Sequence, residues 1–435
     1  MGGVTWTRVQ GLGAALLLLV GAAACRERAS SVQYDGPYAK EVRDAIPRIE
    51  QASGLRFKRP PTVEARSRDQ VRAFLERKFE EDKPAKELLA QGAAYKRLGL
   101  LPDTMDVRAT MLDLLGEQIV GFYDPDTKVL YVVEGSAPEM LTTIITHELV
   151  HALQDQYVAL DSIQTLTGDN DRAMAAQAVI EGMAVYDQMQ AMLGGGDIAS
   201  RLPGGWDRIR ETIRDQSATM PQFASAPLLL QETLLFPYLS GAEFVRRLDA
   251  QGDSAILRRM PQSTEQVLHA EAYDAPADAP TRVILPAPRV GSAAYENNLG
   301  EFETRLFVYQ HLRDLGIAAR AAKGWDGDRY VHVTTPGGDG IAWVVVFDSP
   351  FDAGEFFDAV DQVIMRREPR ARPGAQRETD RSYTGGGRTR RVVAADVQGR
   401  PAVMYVDMPA GTSTDVVDLG RVRLEEAPPD SGVAP

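Results

Sequence analysis

The sequence predicts an α+β protein in two parts: a mainly helical domain carrying one short β-hairpin, then a smaller C-terminal α+β unit. Three observations predict it. Apolar residues recur at helical spacing through most of the chain before residue 270. A single turn sequence there, Asp124-Pro125-Asp126-Thr127, runs into a strand-like stretch from Lys128 to Glu134. Beyond residue 300 the period changes, and four strand-like runs are spread around one helix.

The composition suits such a fold. The chain has 435 residues, 44% hydrophobic and 25% charged, which is enough to bury a core and too apolar for wholesale disorder. Only one apolar run is long enough to notice, which excludes a polytopic membrane protein. Lys and Arg number 48 against 61 Asp and Glu, a formal charge of -13. A general nucleic-acid binder needs the opposite balance.

Residues 1–24 read as a secretory signal peptide. Arg8 is their only charge, the run from Leu12 to Val20 is apolar, and Gly21, Ala22, Ala23 and Ala24 form a small-residue exit. Cys25, the single cysteine, follows at once. This resembles the lipobox of bacterial lipoproteins, with Ala22 where Leu is usual. The resemblance implies a diacylglycerol on Cys25 as first mature residue, anchoring a water-exposed domain to the cell envelope. Arg26 in place of Asp favours the outer membrane. Cleavage without a lipid would give a secreted protein instead. No cysteine remains for an internal disulfide.

Residues 25–36 are polar and small and read as a tether; the helical domain is expected over 37–290. Val42, Ile46 and Ile49 mark a helix from Tyr38 to Gly54. Pro61 to Ala65 reads as a short strand. Helices follow over 69–81, with Asp69 as N-cap, and over 84–98. Pro102 and Asp103 open another, from Thr104 to Ile119. Gly121-Phe122-Tyr123 and the run 128–134 make the hairpin. Ser136, Pro138 and Glu139 start a helix to about Tyr157. The next spans Asp171 to Leu193 and stops at Gly194-Gly195-Gly196. More helices fill 205–260, and 274–291, rich in Pro and Ala, reads as a connection. The C-terminal unit is expected over 291–425. It has a helix over 300–322, strands over 330–334, 341–347, 390–397 and 402–407, and a helix over 352–365. Gly324 to Arg329 reads as a tight turn, the arginine-rich 366–391 as a solvated loop, and 426–435 as a flexible tail.

Chemistry concentrates at His147-Glu148-Leu149-Val150-His151. Imidazoles at i and i+4 share a helix face and can bite one zinc ion, and Glu148 beside the first can take a proton from water. Leu141, Ile144, Ile145, Val150 and Leu153 make that helix apolar enough to bury. Zinc needs a third protein ligand. The metzincin continuation would need Gly at 154 and His at 157, where this chain has Gln154 and Tyr157. Glu181 is the candidate: an isolated acid on an Ala-rich apolar helix, costly to bury without a partner such as a cation. Gly182 beside it would let the two helices approach. The bland reading of Glu181 is an acid paired with a nearby Arg.

His147-Glu148-x-x-His151 with Glu181-Gly182-x-Ala184 resembles the gluzincin metallopeptidases. The hairpin is similar to the strands that precede the zinc helix in that family. The wider pattern, with His147 to Gln156 and Pro261 to His269, resembles uncharacterised bacterial secreted zincin-like proteins over roughly residues 40–350. The thermolysin-type Asp four residues after the glutamate is absent; position 185 is Val. Asp155, Asp171 and Asp187 are the candidates to orient the ligands.

The resemblance implies one zinc ion per chain and hydrolysis of a peptide or protein substrate. Glu148 would shuttle a proton to the leaving amine, and the strand 128–134 would hold an extended substrate. An oxyanion donor is also needed, for which His269 and Tyr186 are the candidates. His311 and His332 have no ligand spacing and read as structural. The expected function is a membrane-tethered zinc metallopeptidase of the cell envelope. The alternative is a non-catalytic envelope lipoprotein that keeps the fold for binding or assembly.

Overall fold

The computed structural model describes residues 32–81, 83–164, 166–194, 205–274 and 276–426. The expected signal peptide, Cys25, most of the tether and residues 427–435 of the tail lie outside them. Among the described residues no helix is long and apolar enough to cross a membrane.

The first helices are α1 (Ala39–Ser53), α2 (Arg68–Glu81), α3 (Lys83–Leu98) and α4 (Val107–Gln118). α1 buries Val42, Ile46 and Ile49 on one stripe. α2 is capped by Ser67 rather than Asp69: the Gln70 N–H donates to Ser67 Oγ (3.3 Å) and the Ser67 N–H to Gln70 Oε1 (2.9 Å). Asp106 caps α4 by accepting from the Ala109 N–H.

A small sheet lies beside these helices. Its strands are β1 (Thr62–Arg66), β2 (Gly121–Asp124) and β3 (Val129–Val133), in the order β1-β3-β2. β1 runs parallel to β3, and β2 pairs with it antiparallel, closing the expected hairpin. This corrects one expectation. β3 is the central strand with a neighbour on each side, so it has no edge to offer a substrate; the free edge on the hairpin side belongs to β2.

Then come α5 (Pro138–Gln154), α6 (Leu160–Gln164) and α7 (Asn170–Leu193). Ser136 is not the cap of α5; its Oγ donates to the Val133 carbonyl (2.7 Å) and Ala137 takes the N-cap place. α7 is the axis of the domain, buried over most of its turns from Ala175 to Asp187. Further helices include Leu228–Phe236 and Ala242–Leu248, joined by a π-helical turn over Pro237–Gly241. Pro237 supplies the cause: it lacks an N–H and crowds the carbonyl four residues back, which widens the turn. That turn packs backbone to backbone on α7. A Cβ at Gly182 would stand 2.3 Å from the Gly241 carbonyl carbon, and one at Gly241 would stand 2.0 Å from the Ala178 oxygen. Gly182 therefore admits the π turn rather than α5.

The C-terminal unit is a seven-stranded antiparallel sheet in the order β5-β6-β7-β11-β10-β9-β8. Its strands are β5 (Ser292–Asn297), β6 (Trp325–Thr335), β7 (Gly338–Phe347), β8 (Arg372–Arg377), β9 (Asp380–Gly385), β10 (Arg388–Val397) and β11 (Arg400–Pro409). β4 (Thr281–Ile284) pairs separately with β12 (Arg423–Glu426). One sheet face, with Tyr330, Trp343 and Tyr405, joins the main core under helices Gly300–Leu312 and Pro350–Arg367. The other, with Val331, Val344, Met404 and Val406, closes a second core with Val283, Val416 and Val422. The central strands are thus buried on both faces and read as continuous apolar runs.

The C-terminal unit departs from the expected one in four places. The arginine-rich 366–391 is not a loop but carries β8, β9 and the start of β10, its charges paired, as in Arg391–Asp380 (2.7 Å) and Arg381–Asp361 (2.7 Å). Residues 281–284 of the connection form β4. Trp325 to Arg329 is the start of β6, bulged between Trp325 and Gly327, not a turn. The helix over 300–322 is two, broken where Arg313 turns left-handed (φ 56°) and Asp314 caps Leu315–Ala322.

Candidate metal centre

α5 sets the His147 and His151 rings one turn apart on one face, edge to face with centroids 4.9 Å apart. α7 brings Glu181 to them. Its Oε2 lies 3.4 Å from His147 Nε2 and 3.3 Å from His151 Nε2. These three residues offer ligand atoms all within 4.8 Å of one another. Glu181 Oε1 accepts from Gln177 Nε2 (2.8 Å), while Oε2 is buried and, among the described residues, takes part in no well-formed hydrogen bond.

The ring orientations decide what can sit between these atoms. His151 Nδ1 faces Gln154 Oε1 (2.9 Å), and His147 Nδ1 faces Gln188 Oε1 (3.3 Å). Both amide nitrogens are committed elsewhere: Gln154 Nε2 donates to the Ile180 carbonyl (3.0 Å) and Gln188 Nε2 to the Thr143 carbonyl (2.9 Å). Each amide oxygen therefore accepts, and each Nδ1 carries the hydrogen. The Nε2 lone pairs of both rings then point at Glu181 Oε2. Three acceptors converging in a buried place repel one another unless a cation lies among them.

The charge balance says the same. Burial pulls His151 down, but Glu181 and Glu148 outweigh it and hold the ring up at about 9. Burial raises Glu181, but His151 and His147 outweigh it and hold the carboxylate well below its usual range. A proton or a metal ion satisfies the same lone pairs, and the two compete.

Glu148 is buried, and burial raises its pKa against the pull of His147 and His151. Its Oε2 accepts the Tyr123 N–H of β2 (2.8 Å), which fixes the carboxylate beside the sheet edge. β2 lies directly on α5 there: a Cβ at Gly121 would stand 2.4 Å from Ile144 Cγ2. Asp155, at the other end of α5, accepts from the Tyr123 hydroxyl (2.8 Å) and Lys128 Nζ (3.0 Å), so it fastens the hairpin and orients neither histidine. Asp171 binds Thr264, and Asp187 lies against Asp253. The orienting groups are amides, not the three expected acids.

Tyr238, which no motif in the sequence marks, also reaches the cluster. The π turn places its ring over His147, centroids 6.2 Å apart and planes 27° from parallel. Its hydroxyl is beside Glu181, whose charge, with burial and the charge of Glu148, keeps the phenol protonated well above its usual pKa of 10. It is a hydrogen-bond donor aimed at the cluster. Only Pro237 inside a helical run hinted at an irregular turn there.

His269, expected among the catalytic residues, is elsewhere. Its Nε2 is 2.8 Å from Glu301 Oε1, and the charges that govern it are Glu301, Glu271 and Arg305. Tyr186 is buried, and its hydroxyl accepts from Gln190 Nε2 (3.0 Å). His311 Nε2 faces the Leu98 carbonyl (3.1 Å), and His332 Nε2 faces Asp339 Oδ2 (3.0 Å). A concavity of about 510 Å³, lined among others by Asp169, Arg172, Thr281 and Arg329, opens at the N-terminal end of α7 and includes none of the cluster.

Residues 282–418 are similar to a family described as a domain of unknown function (DUF8575). The matched stretch contains neither α5 nor α7. No curated protein and no solved structure matches the chain.

Proposed function

We propose that this protein is a metal-dependent peptide-bond hydrolase whose centre is His147, His151 and Glu181, with zinc as the resident ion. One observation carries the reading: two imidazole Nε2 atoms approach the buried Glu181 Oε2 at 3.3–3.4 Å, and among the described residues no well-formed hydrogen bond satisfies that oxygen. Mixed imidazole and carboxylate donors suit zinc, which supplies Lewis acidity toward water and a carbonyl oxygen.

The chain's own groups have separable tasks. Gln154 and Gln188 hold the two rings with Nε2 turned inward. Glu148 is the general base: Tyr123 occupies its Oε2, which leaves Oε1 to take a proton, and burial moves its pKa toward neutrality where a base works well. The same carboxyl then returns the proton to the leaving amine. Tyr238 donates from its phenol to the oxyanion that forms at the carbonyl. The edge of β2 turned away from β3 is where an extended peptide can add as a further strand, through backbone groups other than the Tyr123 N–H that Glu148 holds. In this reading the substrate strand lies on β2 rather than β3. Lipid anchoring through Cys25, and so action at the envelope, belongs to the same proposal and rests on the sequence alone.

The test is Glu148→Gln in the mature chain. We expect it to keep its zinc and to lose hydrolysis of an unfolded protein such as reduced casein. Zinc-loaded wild type inert on every unfolded protein offered would move the reading to the non-catalytic alternative.

A further inference from the structure

A second set of ligand-type side chains converges where the helical domain, the connecting segment and the C-terminal sheet meet. Glu265, Asp278 and Asp348 each offer a carboxylate oxygen, all within 4.8 Å of one another. Glu265 stands on the short helix Thr264–Leu268, Asp278 in the connection, and Asp348 directly after β7. Each backbone is held. The His269 N–H donates to the Glu265 carbonyl (2.8 Å), Gln266 Nε2 to the Asp278 carbonyl (2.6 Å), and the Asp348 N–H to the Gly324 carbonyl (2.9 Å).

Glu265 separates this set from an ordinary acidic patch. It is only 7% exposed, and its carboxylate has no hydrogen-bond donor or ion-pair partner among the described residues. The charges that act on it most strongly, Glu301, Asp278, Asp348 and Asp171, have its own sign. Asp326 nearby shows the ordinary arrangement: its Oδ2 accepts from Thr281 Oγ1 (2.9 Å) and pairs with Arg400 Nη1 (3.1 Å). A buried, unpartnered acid aimed at two further carboxylates is the counterpart of a cation.

We propose that Glu265, Asp278 and Asp348 bind a calcium-type divalent cation that ties the helical domain to the C-terminal sheet. The donors are all hard oxygens with no imidazole among them, which directs zinc to the histidine centre. Asp278 and Asp348 are exposed and lie on an irregular segment and a strand end, so water can complete the large, variable shell that calcium accepts and magnesium does not. The site is independent of the histidine centre and of its chemistry.

The experiment is calcium titration of the mature chain in buffer cleared of calcium over chelating resin, with zinc content monitored throughout. Calorimetry and thermal unfolding are the readouts. Wild type should bind CaCl2 with a dissociation constant of about 10⁻⁴–10⁻³ M, the range of low-affinity calcium modules. At 10 mM calcium the folding equilibrium should shift by about 10- to 100-fold, a rise in Tm of a few degrees. Glu265→Gln should abolish the response and, without calcium, should melt above wild type, because it removes an uncompensated buried acid. Asp348→Asn, at an exposed position, should weaken binding without that gain. Absence of a response in wild type, an equal response in both variants, or an equal response to MgCl2 would overturn the proposal. So would Glu265→Gln melting below wild type in calcium-free buffer.

Discussion

Gly241→Ala tests the packing that brings Tyr238 to the proposed metal centre. Gly241 has φ -62° and ψ -47°, a conformation any residue adopts, so its backbone gains rather than loses from a side chain. That gain is about 0.5–1 kcal/mol. The steric term opposes it. The new Cβ would stand 2.0 Å from the Ala178 oxygen and 2.8 Å from its carbonyl carbon. Both are backbone atoms of buried α7, so no rotamer change relieves them. To reach an ordinary contact of 3.4 Å the π turn must move off α7 by roughly 1.4 Å. Overpacking of this kind costs about 3 kcal/mol, the upper end of its usual range, for a net loss of about 2 kcal/mol. Tyr238 sits three residues earlier on the same turn and moves with it. A displacement above 1 Å at a catalytic group lowers turnover by about 100-fold. Urea unfolding followed by fluorescence reads the first effect, and hydrolysis of casein at equal zinc content reads the second. Gly116→Ala is the control, because nothing among the described residues lies within 4 Å of the Cβ it adds in α4. It should leave activity unchanged and raise stability by about 0.5–1 kcal/mol. If Gly241→Ala is as stable and as active as that control, the backbone contact is not what positions Tyr238.

Other outcomes follow from the same geometry. Tyr238→Phe should keep full zinc content and lose about 100-fold or more in kcat; an unchanged kcat removes the phenol from the mechanism. Gln154→Ala frees the His151 ring and should weaken zinc affinity by about 10- to 100-fold in a competition titration with a chelating dye, and unaltered affinity would show that the amide does not orient the ligand. Asp187 and Asp253 lie against each other; burial with neighbouring acids raises Asp187, and burial holds Asp253 at about 7 from an ordinary 3.8. Between those values the folded chain keeps a proton that the unfolded chain has released, so wild-type stability falls as pH rises from about 4 to about 7. Asp187→Asn should therefore gain on wild type across that window, by about 1–3 kcal/mol at pH 8, in urea unfolding; parallel pH profiles would remove the shared proton from the account.

How far the sequence could be read depended on where the signal was local. The α5 motif carries its own geometry: helical spacing alone puts His147 and His151 on one face. Glu181 was legible because an acid on an apolar helix has to answer to something. Tyr238 was not. It reaches the cluster through a π turn and a glycine contact some sixty residues downstream of Glu181, and neither leaves a periodic trace. Gln154 was seen only as the residue that excludes a metzincin, although it lies three residues after His151 and so on the same face. Gln188, seven residues after Glu181, shares that helix face in the same way. In the C-terminal unit the arginines of 366–391 masked two strands. Charge density there reflects edge exposure and pairing with Asp380 and Asp361, not absence of structure. β6 was read short because Trp325 to Arg329 looks like a turn by composition, while Asp328 is buried and takes four bonds. They come from the Leu299 and Gly300 N–H groups and the Trp325 and Trp343 indoles. His269 misled because a lone histidine after a polar run has no spacing to test, and an acid 32 residues on claimed it.

The most direct test of the central claim is the metal itself. Zinc-edge X-ray absorption on the mature chain, with elemental analysis, should give one zinc per chain bound by nitrogen and oxygen at about 2.0–2.1 Å with two imidazoles in the shell. His151→Ala and Glu181→Gln should each lose that signal. Wild-type protein that takes up no zinc, or holds it equally well without these side chains, would contradict the account.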